Sequence, residues 1–469
     1  MAPPDGTLVA QLTQEIRGRI AARTQAPGTR LPSIRAQATA RGISKTTVVE
    51  AYDRLAAEGV IESRRGSGFY VAGHPPPLSL AESGPKLDRD VDPLWVSRQS
   101  LETPDDALKP GCGWLPSSWM PEASLRRALR TLARGDSGAL TDYGSPRGLL
   151  PLREHLARRL GGFGVPAAPG QILLVDSGTQ AVDLLCRFLL EPGDTVLVDD
   201  PCYFNFRALL RAHRARVVSV PYMPTGPDIA AFAQVLEEQK PRLYITNCAV
   251  HNPTGASLSP VTAHRLLKLA EQHDLTIIED DIFADFEAKP SPRLAAFDGL
   301  GRVVQIGSFS KTISASLRCG YIAARADWIE GLTDLKIASS YSSGRFSAEL
   351  LLAVLQDGNY RKHVETLRAK LAGAMSQAST RLRAVGLTPW VTPRAGMYLW
   401  CELPEALDAA EIARHALKEG IVLAPGNVFS PAQTAGGFLR FNVAQSTDPR
   451  IFQMLDRAIN FIGRASSHV

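Results

Sequence analysis

One lysine stands where a solubilising lysine would not. Lys311, in Ser308-Phe309-Ser310-Lys311-Thr312, follows the apolar run VVQIGSF, at the end of a segment suited to a buried strand. Burial lowers the pKa of a lysine and frees its amine to attack an aldehyde. Arg318, seven residues on, adds a fixed cation for a phosphate, and Ser308 and Ser310 add hydroxyl donors.

Two further groups suit the same ligand. Ser177-Gly178-Thr179-Gln180 joins the run ILLV to an apolar helix bearing Ala181, Leu184, Leu185 and Phe188. A strand, small residues and a helix N-terminus make a cradle of aimed N–H groups for an anion, although many strand-to-helix turns share that pattern. Asp280 closes the run TIIED, at the carboxyl edge where open α/β sheets bind ligands. A carboxylate there can keep a pyridine nitrogen protonated and make the ring an electron sink.

The elements that must position these groups read as a long α/β pattern. Short apolar runs suited to buried parallel strands occur at 172–175, 195–199, 216–220, 243–246, 276–280 and 303–309. Helical stretches separate most of them, as parallel crossovers require. Beyond about residue 330, helices alternate with isolated strands such as GMYLWCEL and GFLRFNVA, the pattern of a smaller α+β domain.

From about residue 106 to 469 the chain resembles the fold-type I aminotransferases. The motifs that carry the likeness are DYGSPRGLLPLR, SGTQ, DDPCYF, HNPTG, EDD, SFSKT with Arg318, and LRFNVA, in that order. The resemblance implies pyridoxal 5'-phosphate held as a Schiff base on Lys311, with Asp280 paired to the pyridine nitrogen. Asn252 would bond the ring oxygen and Tyr203 would stack on the ring. Ser177, Gly178, Thr179, Ser308, Ser310 and Arg318 would hold the phosphate. Arg440 would grip the α-carboxylate of an amino acid, a bidentate task suited to guanidinium. Tyr143 matches a tyrosine that reaches the phosphate from the partner subunit, which implies a homodimer. The sequence departs from the family at one point. A tyrosine hydroxyl usually follows the strand-ending aspartate, but here Asp280-Asp281 is followed by Ile282 and Phe283. That donor to the ring oxygen is expected to be missing.

The first 72 residues are a different unit. They hold ten Lys and Arg against six Asp and Glu, an excess of four out of the chain's formal +5. Such a charge is the footprint of contact with phosphate backbones, or merely of a solvated basic face. Leu8, Leu12, Ile16 and Ile20 at four-residue spacing predict an amphipathic helix over 7–25. Ser33 can cap a second helix ending at Arg41, and Ser44 a third that Gly59 ends. VIESRR and FYVAG then read as two strands around a Gly-Ser-Gly turn. Three helices and a hairpin are the order of a winged helix-turn-helix, in which the N-terminal residues of the second motif helix lie nearest the bases. That end carries Ser44, Lys45, Thr46 and Thr47. Arg35 on the preceding helix, and Arg64, Arg65 and Gly66 at the wing tip, are the other candidate DNA contacts. The elements LPSxR, SxxTV, YxxLxxEGxI and RxGxGxxV resemble the GntR-type winged helix.

Residues 73–105 are proline-rich, polar and without periodicity, and are expected to be a linker. A GntR-type winged helix, a linker and an aminotransferase-like domain in that order resemble the MocR-type transcriptional regulators. The resemblance implies a regulator that binds operator DNA and senses an amino acid or amine. The alternative is a working aminotransferase acting on an amino acid and a 2-oxo acid. Six scattered cysteines without a CxxC pair suggest neither a disulfide framework nor a metal site. No apolar run nears the roughly 20 residues needed to span a bilayer, and the polar N-terminus lacks the pattern of a signal peptide. A cytoplasmic protein without membrane contact is expected.

Overall fold

Two serines and a left-handed glycine set the N-terminal helices. The Ser33 hydroxyl accepts from Ala36 N at 3.2 Å to start the helix Ile34–Arg41, and Gly42, at φ 66°, ends it. The Ser44 hydroxyl then accepts from Thr47 N at 3.0 Å to start Lys45–Ala57. The computed structural model describes residues 7–21, 25, 28–64, 67–72, 93–104, 106–135, 138–404 and 407–466. The chain divides into two compact units, Met1–Ser79 and Leu80–Val469.

In the first unit the helix Leu8–Ala21 precedes the two capped helices, and strands Ile61–Arg64 and Gly68–Val71 form an antiparallel hairpin. Leu31 N bonds the Phe69 carbonyl and Val71 N the Thr29 carbonyl, which widens the hairpin by one short extended segment. Leu12, Ile16, Val48, Leu55 and Ile61 are buried together. Tyr52, which the sequence places on the DNA-facing helix, belongs to this core. It is fully buried, packs edge-on against Phe69 and donates to the Pro32 carbonyl at 2.9 Å.

The second unit is built on an eight-stranded sheet. Its spatial order is Ile172–Val175, Gly320–Ala323, Val303–Ser308, Thr276–Asp280, Leu243–Thr246, Thr195–Asp200, Arg216–Met223 and Gly226–Pro227. The five strands from Val303–Ser308 to Arg216–Met223 run parallel. Each of the six runs expected from the sequence is a strand, and burial in all but Arg216–Met223, which is partly exposed, explains the continuous apolar character. Gly320–Ala323 is not legible as a strand in the sequence. It enters antiparallel between Ile172–Val175 and Val303–Ser308, pairing Gly320 with both Val175 and Ser308. A Cβ on Gly320 would come within 3.0 Å of Ser177 C and 2.8 Å of the Gly307 carbonyl. The bare backbone therefore lets the Arg318 loop, the Ser177 turn and the end of the Ser308 strand meet at one edge.

A four-stranded antiparallel sheet forms the smaller domain, in the order Thr388–Pro389, Tyr398–Glu402, Phe438–Asn442 and Ala424–Pro425. The long helix Asn359–Ala384 and the last helix, Pro449–Ser466, accompany it. Residues 93–102, expected to be part of the linker, instead form a helix in the second unit. Val96 anchors it by packing with Phe204, Trp400 and Phe429, an apolar contact that local composition does not announce. Residues 73–92 lie outside the described residues. Among the described residues no helix is long and apolar enough to cross a membrane, and no cluster of His, Cys, Asp and Glu could hold a metal ion. All six cysteines are buried and unpaired.

Candidate ligand-binding site and nucleic-acid interface

The carboxyl edge of the large sheet opens into a cavity of about 310 Å³. Most of the residues expected to hold the cofactor line it: Ser177, Gly178, Thr179, Tyr203, Asp280, Ser308, Ser310, Lys311 and Arg318. The Ser177 hydroxyl accepts from Gln180 N at 3.0 Å and caps the helix Gly178–Leu189, whose first N–H groups reach no partner within the helix. Ser308 and Ser310 share a hydroxyl–hydroxyl bond of 2.9 Å. Arg318 is exposed and holds φ 47°, a conformation uncommon outside glycine. Cation, helix N-terminus and hydroxyls thus gather at one cavity, as a phosphate requires.

Lys311 lines this cavity and also a neighbouring chamber of about 110 Å³. Burial pulls its amine down to a pKa of about 8, with the Arg440 and Arg318 charges pushing the same way against Cys112 and Asp280. Its amine donates to the Gly113 carbonyl at 2.6 Å. The next residue fixes the loop. Thr312 donates to Asp285 Oδ2 at 3.2 Å, and His363 Nε2 donates to the Thr312 carbonyl at 2.8 Å. Asp285 is itself paired with Arg159 at 2.6 Å and accepts from Tyr360 at 2.7 Å. Burial raises the Asp280 carboxyl to about 7, and one of its oxygens accepts from Ile282 N at 3.1 Å. Such a carboxylate gains from a cationic partner. Amine, carboxylate and anion cradle therefore fit an aromatic aldehyde with a ring nitrogen and a phosphate.

Arg440 and Asn252 line the smaller chamber together with Lys311 and Tyr203. Arg440 is buried and sits over the Tyr398 and Phe429 rings at 4.2 and 4.7 Å. Its N–H groups reach Asn252 Oδ1 at 2.9 Å and the Gly111 carbonyl at 2.7 Å, while Nε has no partner. Tyr143 is not brought to Lys311. It is 79% exposed, with its ring 4.9 Å from that of Tyr341, which is 61% exposed.

Sequence reasoning misses several residues of this region. Ser97, Ser100, Gly113, Trp114 and Tyr398 line the chamber, and of these only Tyr398 lies on a segment that the sequence singles out. The chamber wall also includes Phe283, buried edge-on against Tyr398, and Ile282. The absence of a hydroxyl at those two positions stands, and Tyr398 supplies a phenol elsewhere in the same wall. A Cβ on Gly113 would lie 3.5 Å from that phenol oxygen and 4.0 Å from Lys311 Nζ.

On the winged helix, Arg35, Lys45, Thr46 and Arg64 are exposed. Thr47 is half-buried and bonded to the Ser44 hydroxyl at 2.8 Å, so both of those side chains have a capping task. Arg64 is paired with Glu62 at 2.6 Å and lies 4.5 Å over the Tyr70 ring. Arg65 and Gly66 lie outside the described residues.

Comparisons with known proteins agree with both units. Residues 115–458 match the family of class I and II aminotransferases, and residues 8–71 match the gntR family of bacterial regulatory proteins. The HTH-type transcriptional regulator YdcR of Escherichia coli (strain K12) is 30% identical over 443 residues, spanning 92% of this chain and 94% of that protein. NorG, an HTH-type transcriptional regulator of Staphylococcus aureus (strain USA300), is 26% identical over 92% of this chain and 99% of its own length. Among solved structures, LysN, an α-aminoadipate aminotransferase from Thermus thermophilus complexed with N-(5'-phosphopyridoxyl)-L-leucine, superposes with a TM-score of 0.72. It is 25% identical and covers 79% of this chain and 95% of its own. Fold and site thus define a gntR-type winged helix fused to an aminotransferase-fold domain. The chain belongs to the class I and II aminotransferase family, in the group of MocR-type transcriptional regulators.

Proposed function

We propose that this regulator carries pyridoxal 5'-phosphate on Lys311, reads an amino acid or amine beside it, and changes its grip on operator DNA in response. Arg440 carries the reading. A buried charge is ordinarily paired, yet among the described residues no carboxylate pairs with this guanidinium, and its Nε bonds nothing. An α-carboxylate supplies the missing partner.

Bound in the larger cavity, pyridoxal phosphate supplies an aldehyde that captures primary amines and a ring that withdraws electrons. The chain's own groups do the rest. Lys311 offers a nitrogen that loses its proton near pH 8, Asp280 holds a proton at the ring nitrogen, and Arg440 orients the carboxylate. Ser177, Gly178, Thr179, Ser308, Ser310 and Arg318 bind the phosphate. Asn252 and Tyr203 position the ring. The exposed Tyr143 supports a homodimer in which it serves the partner's phosphate site. Residues 1–72 contact DNA, and such a regulator works in the cytoplasm.

A ligand shifts DNA affinity only by its different affinity for two states of the protein, typically 1–3 kcal/mol or about 5–150-fold. The test is a DNA-binding isotherm for apo, cofactor-loaded and amino-acid-bound protein at one fixed salt concentration. Affinity should change with ligand, and Lys311→Ala should abolish the cofactor-dependent part. Identical curves in all three states, together with steady conversion of an amino acid and a 2-oxo acid, would establish an aminotransferase instead.

A further inference from the structure

Helix Pro93–Glu102 carries a buried polar group with nothing to bond. Ser100 is 2% exposed, and its hydroxyl has no hydrogen-bond partner. A serine late in a helix ordinarily bonds the carbonyl one turn back. Thr103 does so to Gln99 at the end of this same helix, and Thr13 to Val9 in the first helix. An unbonded buried hydroxyl is destabilising unless a ligand or water satisfies it.

The chamber that Ser100 lines is also lined by Arg440, whose Nε is unbonded, and by Lys311. Two residues that each carry an orphaned buried polar atom therefore line a single small space. Val96, Phe204 and Phe283 make much of the remaining wall apolar. We infer that Ser100 reads the side chain of the effector, and that the effector is a short amino acid whose side chain carries a hydroxyl. The inference rests on the reading above, in which Lys311 and Arg440 take the amine and carboxylate ends.

Size and charge select this class. At a liquid share of about 30 Å³ per water, the chamber of about 110 Å³ holds roughly four waters. That space suits serine or a close homologue and disfavours long or aromatic side chains. A second carboxylate would lose its hydration in a chamber whose two cations, Lys311 and Arg440, are already engaged by the amine and the α-carboxylate, which is unfavourable. A methyl group, in turn, would leave Ser100 unsatisfied. Sites built to bond a polar group reject analogues that lack it more strongly than apolar pockets reject an added hydroxyl. The helix is also the first described element after residues 73–92, so the effector's side chain engages the chain next to the connector with the winged helix.

The experiment uses the full-length protein loaded with pyridoxal phosphate. Dissociation constants for L-serine, L-threonine, L-alanine and L-2-aminobutyrate are measured calorimetrically for wild type, Ser100→Ala and the near-isosteric Ser100→Cys. Wild type should bind serine at least about tenfold tighter than alanine. Ser100→Ala should bring that ratio within about twofold while leaving alanine affinity nearly unchanged, and Ser100→Cys should fall between. Cofactor absorbance and thermal midpoint, compared across the variants, separate a misfolded helix from a lost contact. An unchanged serine-to-alanine ratio in both variants, or equal weakening of all four ligands, overturns the role of Ser100 while the amino-acid reading stands. If none of the four binds wild type but other amines do, the proposed class is wrong. If no amino acid or amine binds, both readings fall.

Discussion

Lys311 Nζ donates to the carbonyl of Gly113 at 2.6 Å, so the amine expected to capture the cofactor also holds the segment that walls its site. Other groups hold the same stretch. Arg440 donates to the Gly111 carbonyl at 2.7 Å, and Asn442 Nδ2 to the Trp114 carbonyl at 2.7 Å. A ligand that engages Lys311 and Arg440 must compete with these bonds. Binding and the order of residues 111–114 are thereby linked.

Amide hydrogen exchange tests that link. In the protein without ligand, Lys311→Ala should speed exchange across 111–114 by about tenfold or more, the loss of one charge-assisted bond. The buried strand Val303–Ser308 should exchange as before. Equal protection in the variant would show that the Gly113 contact holds nothing.

The acidity of Lys311 gives a pH prediction. An amine with pKa about 8 is roughly one-tenth neutral at pH 7, whereas an ordinary lysine is neutral in fewer than about one molecule in a thousand. The neutral form is the nucleophile, and it grows as pH rises. Uptake of pyridoxal phosphate by apo-protein should therefore accelerate up to pH 8 and level off just above it. Borohydride reduction should then fix the cofactor to Lys311. A rate still climbing tenfold per pH unit beyond 9, or cofactor trapped in Lys311→Ala protein, would refute the assignment.

Arg440→Lys retains a charge but loses the planar fork. It should weaken amino-acid binding by about tenfold or more while pyridoxal phosphate uptake stays near wild type. Amines without a carboxylate should bind both proteins alike. Loss of cofactor uptake to the same degree would place Arg440 in the cofactor site and leave the carboxylate unassigned.

The winged helix separates contact from capping. Replacing a phosphate-contacting Arg35 or Lys45 by a neutral residue should flatten the salt dependence of DNA binding by roughly one unit. Ser44 is an N-cap, so Ser44→Ala should lower domain stability by about 1 kcal/mol, and Ser44→Gly by only a few tenths. Equal stability of the two Ser44 variants would leave its capping bond without weight. A salt slope unaltered by substituting both Arg35 and Lys45 would remove those residues from the interface.

The sequence determined by itself whatever rests on local pattern. Six strands are readable because the five covered on both faces are apolar throughout, and Arg216–Met223, partly exposed, keeps an apolar run. The caps Ser33 and Ser44 are readable because a hydroxyl before a helix has one local task. Lys311, Asp280, Ser177 and Arg318 are legible because each stands at the end of an element or in a short motif. Tertiary structure decided what depends on contacts between distant segments. Gly320–Ala323 is a strand because it completes the sheet between two others, and four residues after a loop carry too little pattern to announce it. Tyr52 lies on the helix that presents Lys45, but the Pro32 carbonyl and Phe69 ring draw it into the core. Helix Pro93–Glu102 is held by Val96 among Phe204, Trp400 and Phe429, residues more than a hundred positions away. Ser100 reaches the Arg440 chamber only through that packing, because burial is a property of the assembled fold and not of the serine.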